Sequence, residues 1–237
     1  MELNKDQWTR FVNILTGIAA AGFDDCIINN GRIRESDVTK TLVVDLQLDV
    51  PLQMEVQIIK SFLPLYKSFI PFDENGKINI ETTDDAISIK DDLSFINIRR
   101  PVEKSLSCKF LPDDVFQQFG FDTKESKLSV KINEYLLSRI KAIRDNFQTT
   151  VFNIESIKNK ATLFFKSYSN TRTAKMITMD TDLSDVKLSI ACSVFDFPFD
   201  SDFTMDILET EKNKFIAKFS GTISGISSSL YANAKLE

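Results

Sequence analysis

Adjacent acidic residues are the feature of this sequence with the clearest capacity for metal chemistry. Four pairs could place two carboxylates near a Mg²⁺ ion: Asp24–Asp25, Asp84–Asp85, Asp91–Asp92 and Asp113–Asp114. Each pair lies beside turn-like sequence, and neighbouring side chains of a strand point to opposite faces, so the two carboxylates of a pair do not converge. We therefore interpret these pairs as solvated turn residues and expect no metal site.

The sequence also lacks the residues that nucleophilic catalysis and cofactor binding usually need. The chain of 237 residues contains no histidine, which excludes Ser–His and Cys–His catalysis and histidine-ligated metals. Cys26, Cys108 and Cys192 are widely separated and odd in number, which favours reduced, buried thiols over disulfides. The seven glycines are scattered and form no phosphate-binding loop. The sequence therefore predicts a protein that is not an enzyme and needs no cofactor.

A basic cluster stands out against an acidic background. The formal net charge is −5, yet the stretch SRIKAIR at Ser138–Arg144 carries three positive side chains. On a helical wheel, Arg139 and Lys141 flank the polar face, and Arg144 lies nearer the apolar stripe. A solvated helix face with weak local ion pairs explains such a cluster without any ligand, and the residues alone favour that interpretation.

Four predicted helices position these charges. Apolar residues repeat at helical spacing in residues 4–18, where Asn4 is the expected N-cap, and again in residues 132–147. The segment IKSFLPLYKSF predicts a short helix capped by Ser61, so that Pro64 falls in its first turn. The segment TMDILETE at residues 204–211 predicts another short helix.

Strands account for most of the remaining sequence. Asn30–Gly31 predicts a hairpin turn, and the alternation from Leu42 to Ile58, broken near Pro51, predicts two strands. Three further strands are predicted at KINIE, AISIK and LSFINIR. In the second half, strands are predicted at LSV, TVFNI, ATLFFKSY and AKMITMD, over the alternation 186–194, and at KFIAKF, GTISGI and SSLYANAKL.

The same order of elements occurs twice along the chain. Each half contains a helix, about four strands, a short helix and about three strands, without residue identity between the halves. The length permits two domains of ordinary size. We therefore predict an α+β fold of two similar domains, at residues 1–104 and 127–237. A connector at residues 105–126 joins them and contains a short helical turn near Val115–Phe119.

The ends and the hydropathy of the chain bear on its location. No apolar run approaches the roughly 18 residues that a membrane span needs. The start, MELNKDQW, lacks the basic and apolar regions of a secretory signal. We therefore expect a cytoplasmic protein without a membrane partner.

This order of elements resembles the processivity-clamp family, the ring-shaped DNA sliding clamps of the proliferating-cell nuclear antigen and tailed-bacteriophage type. The resemblance covers nearly the whole chain. It is clearest in IKSFLPLYKSF followed by DENGKINI, in LSVKINEYLLSRIKAI followed by TTVFNI, and in the C-terminal KFIAKFSGTISGISSSLYANAKLE. It implies a non-catalytic homotrimer that closes head to tail around duplex DNA. The sheets would lie outside, with two helices per domain on the inner face.

The resemblance also implies which residues face DNA. Basic side chains of the helices would contact phosphates weakly and without reading bases. These candidates are Lys5, Arg10, Lys60, Lys67, Arg139, Lys141, Arg144, Lys212 and Lys214. The segment 204–211 departs from a basic lining, because its own charged residues are acidic.

Subunit and partner contacts follow from the same resemblance. Exposed sheet edges of neighbouring subunits would pair, and the expected interface residues are Phe95, Ile96, Ile98, Lys175, Ile177 and Met179. Peptides of a replicative DNA polymerase and a clamp loader would dock in an apolar pocket beside the connector. Its candidate residues are Phe110, Leu111, Phe116, Phe119 and Phe121. The same residues could instead serve only to pin the connector to the core.

Two other functions are compatible with the residues. A β-rich phage structural or assembly protein would share the acidic surface and the two-domain layout without any role in DNA binding. A single-stranded-DNA-binding protein would stack bases on some of the 20 phenylalanines. Most of these phenylalanines, however, occupy alternating or helical apolar positions that are typical of a core.

Overall fold

The architecture is given by a computed structural model. It describes residues 1–37, 41–56, 59–69, 76–83, 86–91, 93–99, 108–119, 121, 124–167, 169, 172–211 and 213–237, without the side chains at 60–62. All strand pairings among these residues are antiparallel, and helices accompany the sheets, which confirms the α+β prediction.

The described residues of the first half form ten elements, which we call the first unit. They are β1 (Glu2–Asn4), α1 (Lys5–Ala20), β2 (Cys26–Ile28), β3 (Arg32–Asp37), β4 (Leu42–Gln47), β5 (Met54–Val56), α2 (Ile59–Ser68), β6 (Lys77–Thr82), β7 (Ala86–Lys90) and β8 (Phe95–Arg99). The connecting segment then adds β9 (Cys108–Phe110) and α3 (Asp113–Gln118). The short helix predicted in the connector is therefore confirmed, two residues earlier than expected.

The second half, which we call the second unit, repeats this order with one change. Its elements are β10 (Ser126–Ile132), α4 (Glu134–Phe147), β11 (Val151–Ile157), β12 (Lys160–Lys166), β13 (Thr173–Asp180), β14 (Val186–Ala191), a 3-10 helix (Cys192–Asp196), β15 (Phe203–Glu211), β16 (Lys214–Ile223) and β17 (Ile226–Leu236). The 3-10 helix stands where the first unit has α2, so the repeated order is conserved but the second helix is reduced to a short turn.

Helix α1 begins where its sequence predicts. The Asn4 side chain accepts a hydrogen bond from the Gln7 backbone N–H at 2.9 Å, and the Gln7 side chain accepts one from the Asn4 N–H at 3.0 Å. This reciprocal capping satisfies two donors that the first turn cannot satisfy itself. The buried stripe of the helix includes Trp8, Phe11 and Leu15, as the apolar spacing predicted.

Helix α2 differs from its prediction at the N-terminus. It begins at Ile59, so Ser61 lies within the helix and is not its cap, and Pro64 is its sixth residue. Proline at this depth removes one backbone hydrogen bond of the helix. Packing compensates, because Tyr66 of the same helix and Phe69, which follows its last residue, are buried in the core.

The helix predicted at residues 204–211 is wrong, because this segment forms strand β15. Phe203, Met205 and Ile207 alternate with more exposed residues, which is the period of a strand. Strand β15 pairs with β10 on one side and β16 on the other. This two-sided pairing outweighs a short apolar pattern that also fits one helical turn. Cys192 and Val194, predicted as the end of a strand, lie instead in the 3-10 helix.

The last three predicted strands are two in the structure. KFIAKF and GTISGI are largely continuous in β16, and a turn at Ser224–Gly225 leads into β17. The Asn30–Gly31 turn is confirmed, with positive φ at both residues. Any Cβ at position 31 would collide with the carbonyl oxygen of Val50, so this position requires glycine for space as well as for conformation.

The sheets join the two units into one body. A four-stranded sheet has the order β1-β6-β7-β8, and the corresponding strands of the second unit, β10-β15-β16-β17, form part of an eleven-stranded sheet. The larger sheet crosses between units because β17 pairs with β4, from Ser228 opposite Leu46 to Ala232 opposite Leu42. Strand β17 thus carries the backbone hydrogen bonds that join the second unit to the first.

Candidate functional site

The connecting segment lies on one face of the sheet that joins the two units. Strand β9 pairs with β3, so the segment is anchored by backbone hydrogen bonds. Val43 of β4 and Ile216 of β16 contact the connector side, whereas their neighbours Val44 and Phe215 belong to the core that also contains α1, α2 and α4. The connector and the helices therefore cover opposite faces of this sheet.

An arginine fixes helix α3 to this face. The Arg34 guanidinium lies 4.0 Å from the centroid of the Phe116 ring and forms an ion pair with Asp113. The same side chain contacts Asp45 at 3.0 Å, and Asp45 also binds Arg32. Cation–π and charge-assisted contacts thus hold both the start and the middle of α3.

Aromatic side chains form a second, smaller core beneath the connector. Leu111, Phe116 and Phe121 are buried with Tyr231 of β17. The rings of Phe121 and Tyr231 stack with centroids 4.6 Å apart, and Phe119 stacks on Phe121 at 5.1 Å. The outermost ring of this stack, Phe119, is 45% exposed.

A cavity of about 750 Å³ lies beside this aromatic stack. Four of the five residues predicted for a partner pocket line it: Phe110, Leu111, Phe119 and Phe121. The fifth, Phe116, lies beneath the stack and contacts Tyr231 at 5.7 Å. The predicted pocket residues are thus brought together, with Phe116 acting as the anchor.

Sequence reasoning missed the strand side of this cavity. Val43, Ile216 and Tyr231 come from three strands that are far apart in the chain and meet only in the sheet. No local spacing connects them. The one usable signal was Tyr231 itself, the aromatic residue of a strand otherwise rich in serine and alanine.

Helix α4 presents a partly basic surface on the other side of the molecule. It is capped by Asn133, whose side chain accepts a hydrogen bond from the Leu136 N–H at 2.8 Å, and it buries Leu136 and Ile140. Arg139 is exposed and Lys141 is half-buried. Among the described residues, no carboxylate oxygen lies within 4.0 Å of either side chain. Both charges are therefore available to an external anion.

Arg144 of the same helix has a structural partner. Its guanidinium contacts Asp196 at 2.7 Å and Asp145 at 2.9 Å, and its side chain is 21% exposed. The hydrogen bond that Arg144 donates to Asp196 is the main cause that raises the Arg144 pKa. The prediction that Arg144 lies nearer the apolar stripe is consistent with this position, since the side chain joins α4 to the 3-10 helix.

The other predicted basic residues divide into four groups. Lys5 and Lys67 lie on α1 and α2 without a described carboxylate within 4.0 Å, whereas Arg10 pairs with Asp49 at 3.0 Å. Lys214 lies in β16 and lines the connector cavity, so its predicted place on a helix is wrong. Lys212, the Lys60 side chain and the predicted turn residues Asp84, Asp85 and Asp92 lie outside the described residues.

Strands β8 and β13 are both at sheet edges. In the described chain, β8 pairs only with β7, and β13 pairs only with β12. Phe95 of β8 is 62% exposed, Ile96 is half-buried and Ile98 is buried. In β13, Lys175 is exposed and Ile177 and Met179 are half-buried. The six predicted interface residues therefore lie on two strands with free backbone edges.

A carboxyl group is buried in the first unit between two thiols. Glu35 of β3 accepts a hydrogen bond from the Ile27 N–H at 2.9 Å, and among the described residues its other oxygen has no hydrogen-bond partner. Burial raises the Glu35 pKa to about 7, although hydrogen bonds from Ile27, Cys108 and Cys26 oppose the shift. Burial also raises the pKa of both thiols, which keeps them protonated and poor nucleophiles.

Metal and membrane features are absent from the part of the chain that the structure describes. No group of three or more cysteine, aspartate or glutamate side chains there could hold a metal ion, and all three cysteines are free and buried. None of the described helices has the length and apolar character needed to cross a bilayer.

Known structures share this architecture over nearly the whole chain. The PCNA2–PCNA3 complex from Sulfolobus tokodaii matches with 14% identity, 98% coverage of both chains and a TM-score of 0.58. The proliferating cellular nuclear antigen of Entamoeba histolytica matches with 12% identity, 99% coverage of this chain, 97% of that chain and a TM-score of 0.60. A putative DNA polymerase III beta subunit from Eubacterium rectale matches with 13% identity, 98% coverage of this chain, 64% of that chain and a TM-score of 0.59.

No sequence family model and no curated protein matches this chain. The identities to the solved structures are low, so these matches establish the fold and not the function. The chain has the fold of the PCNA-like sliding clamps, which confirms the resemblance drawn from the order of its elements.

Proposed function

We propose that this chain, folded like the PCNA-like clamps, is a subunit of a ring that encircles duplex DNA and tethers a replicative polymerase. Its role is non-catalytic, and three subunits complete the ring in the cytoplasm of a replicating cell. We place its clamp domains at residues 1–104 and 127–237, with the connector at 105–126. The connector cavity is the docking site for polymerase and clamp-loader peptides.

The observation that carries this proposal is the joint between the two units. Strand β17 of the second unit pairs with β4 of the first. In the order of elements, the counterpart of β17 is β8 and the counterpart of β4 is β13. Both counterparts are sheet edges, because among the described residues β8 pairs only with β7 and β13 only with β12. A β8–β13 pairing between subunits would therefore repeat a joint already present within each subunit.

Such a joint is heterologous, because different surfaces of two identical subunits meet. Repetition of a heterologous joint gives a closed ring when the rotation closes. It also removes two exposed edges that would otherwise invite aggregation. The proposed contacts involve Phe95, Ile96 and Ile98 from one subunit and Lys175, Ile177 and Met179 from the next.

The helix side of the sheets is the proposed DNA-facing surface. Arg139, Lys141, Lys5 and Lys67 supply dispersed positive charge without described carboxylate partners. Arg10 contributes less because it pairs with Asp49, and Arg144 contributes little because Asp196 holds it. Dispersed charge suits sliding, since no single register on the phosphates is strongly favoured.

Electron microscopy and DNA titration test this proposal together. Negative-stain images of the isolated protein should show a ring with a hole wide enough for duplex DNA, about 20 Å or more. Fluorescence anisotropy with a labelled duplex at low salt should show weak binding that falls as salt rises. A double change, Arg139→Glu with Lys141→Glu, should weaken that binding at least fivefold while the ring persists.

A matched charge reversal provides the control. Lys90→Glu in β7 reverses one charge at an exposed lysine outside the helices, and it should leave DNA affinity within twofold of the original. Solid or fibrous particles in the images would contradict the ring. Equal loss of affinity in the two charge-reversed proteins would contradict the assignment of α4 to the DNA-facing surface.

A further inference from the structure

The connector cavity has a charge that opposes that of the whole chain. The protein carries 34 acidic against 29 basic residues. The cavity wall, however, contains three lysines, Lys109, Lys214 and Lys235, and no aspartate or glutamate. Apolar side chains from the connector and the strands make up the space between them. An excess of positive charge at this one place indicates the charge of the occupant.

The strand registers place positive charge at both sides of the apolar floor. Lys109 of β9 is opposite Ser36, Ser36 is opposite Val43, Val43 is opposite Tyr231, and Tyr231 is opposite Lys218 of β16. Directly opposed residues of a sheet share one face, and neighbouring strands are about 4.8 Å apart. The two lysines therefore flank the floor at a separation of roughly 19 Å between their backbones.

Lys214 and Lys235 extend the positive margin on the β16–β17 side. Lys214 precedes Phe215, and Lys235 follows Ala234, the antiparallel partner of Phe215, so both lysines lie at the same end of these strands. Lys214 donates to Glu211 at 2.6 Å in an exposed pair, which solvent weakens. Among the described residues, no carboxylate oxygen lies within 4.0 Å of Lys235 or Lys109.

Two acids of this face, Asp45 and Asp113, are occupied by other cations. Asp45 is held by Arg32 and Arg34, and Asp113 by Arg34. These pairs neutralise the part of the face beneath helix α3, whereas Lys109 and Lys235 at the cavity have no carboxylate oxygen within 4.0 Å among the described residues. A ligand with negative charge on both sides of an apolar centre would complement this arrangement.

We propose that the connector cavity selects acidic peptide segments, in which one or two aromatic side chains pack against the exposed ring of Phe119 and flanking carboxylates reach the lysine margin. An extended segment needs about six residues to span 19 Å. The ligand is thus a short tail or loop of a partner protein, with aspartate or glutamate on both sides of its aromatic residues. This inference rests on the proposed docking function of the cavity and adds the charge of the partner to it.

Selection from a displayed library of random peptides, about ten residues long, tests the preference without assuming a partner. The full chain is the target, and enriched peptides are sequenced. Aspartate and glutamate should be enriched, and lysine and arginine depleted, within about three residues of a selected aromatic residue. The most enriched peptide, made synthetically with a fluorophore, should bind about tenfold more tightly than its Asp→Asn and Glu→Gln counterpart at low salt.

Charge reversal in the cavity then identifies the lysines. Lys109→Glu and Lys235→Glu should each weaken the acidic peptide several-fold and leave the neutral counterpart unchanged, whereas Lys90→Glu should change neither. Selection of neutral or basic aromatic peptides, with no response to the two cavity variants, would overturn the charge preference and leave peptide docking intact. Failure to enrich any peptide would overturn the docking proposal itself, and the acidic preference with it.

Discussion

The two units of this protein hold their second helical element in different ways. In the first unit, α2 is a ten-residue helix, and Tyr66 packs edge-on against Trp8 and Phe11 of α1, at centroid distances of 5.9 and 6.3 Å. All three rings are buried. The helix is therefore held by an aromatic core that crosses between α1 and α2.

In the second unit, the element in the same position is a single 3-10 turn. Arg144 of α4 binds Asp196 at its end, and Phe195 packs against Phe152 and Phe219 at 5.2 and 5.8 Å. The turn is thus held by one ion pair and by rings that project from the sheet. The same order of strands is therefore compatible with either a helix or a turn at this position. In both units, aromatic side chains fill the core beneath it.

Loss of the aromatic contact between α1 and α2 should have the largest effect. Trp8→Ala removes a buried ring that touches both Phe11 and Tyr66, which should lower the free energy of unfolding by about 3–5 kcal/mol. Urea unfolding followed by circular dichroism measures the change. Tyr135→Ala in α4 removes a ring that is 74% exposed and should cost less than about 0.5 kcal/mol. A similar loss of stability in both proteins would contradict the role of the buried Trp8 ring in holding α1 and α2 together.

The buried carboxyl group should give the first unit a pH-dependent stability. The folded pKa of Glu35, about 7, exceeds its ordinary value of 4.5. Between these values the folded chain keeps a proton that the unfolded chain releases, so this group lowers stability as pH rises from about 4.5 to 7. The full difference is on the order of 3 kcal/mol.

Glu35→Gln isolates this contribution. Glutamine can still accept the hydrogen bond from the Ile27 N–H but does not titrate. Relative to the original chain, the variant should therefore gain stability as pH increases from 5 to 8, as measured by urea midpoints at several pH values. Parallel pH profiles for the two proteins would contradict a raised pKa at this position.

The ion pair that holds the 3-10 turn should have an intermediate effect. Arg144→Ala leaves Asp196 without its partner and should lower the free energy of unfolding by about 1–2 kcal/mol. Arg139→Ala, on the same helix but exposed, should change it by less than about 0.5 kcal/mol. A double-mutant cycle with Asp196→Ala measures the coupling. Additive effects of Arg144→Ala and Asp196→Ala on the free energy of unfolding would contradict a direct interaction between these two side chains.

The smallest expected change concerns the Tyr66 hydroxyl. It is buried without a hydrogen-bond partner among the described residues, and burial raises its pKa. Tyr66→Phe keeps the ring and removes this unsatisfied group, so stability should be unchanged or rise by about 1 kcal/mol. A loss of more than about 1 kcal/mol would mean that the hydroxyl has a partner, such as water, in solution.

These differences also show what the sequence could and could not predict. Helix α1 was predictable because its cap, Asn4, and its apolar stripe act locally. Strand β15 was not, because its conformation depends on pairing with β10 and β16, which no short window contains. The cavity was predicted only from the connector side, since Val43 and Tyr231 meet through the β17–β4 joint. Lys214 was assigned to the end of a helix because the pairing of β15 with β16 could not be predicted. It instead lies in β16 and lines that cavity.

Native mass spectrometry at micromolar concentration tests the ring most directly. Three subunits of 27.0 kDa should give a particle of about 81 kDa. Phe95→Asp at the β8 edge should convert it to a folded 27.0 kDa monomer, whereas Phe119→Asp beside the connector cavity should leave the trimer intact. A 27.0 kDa mass for the unchanged chain at this concentration would contradict the proposed assembly.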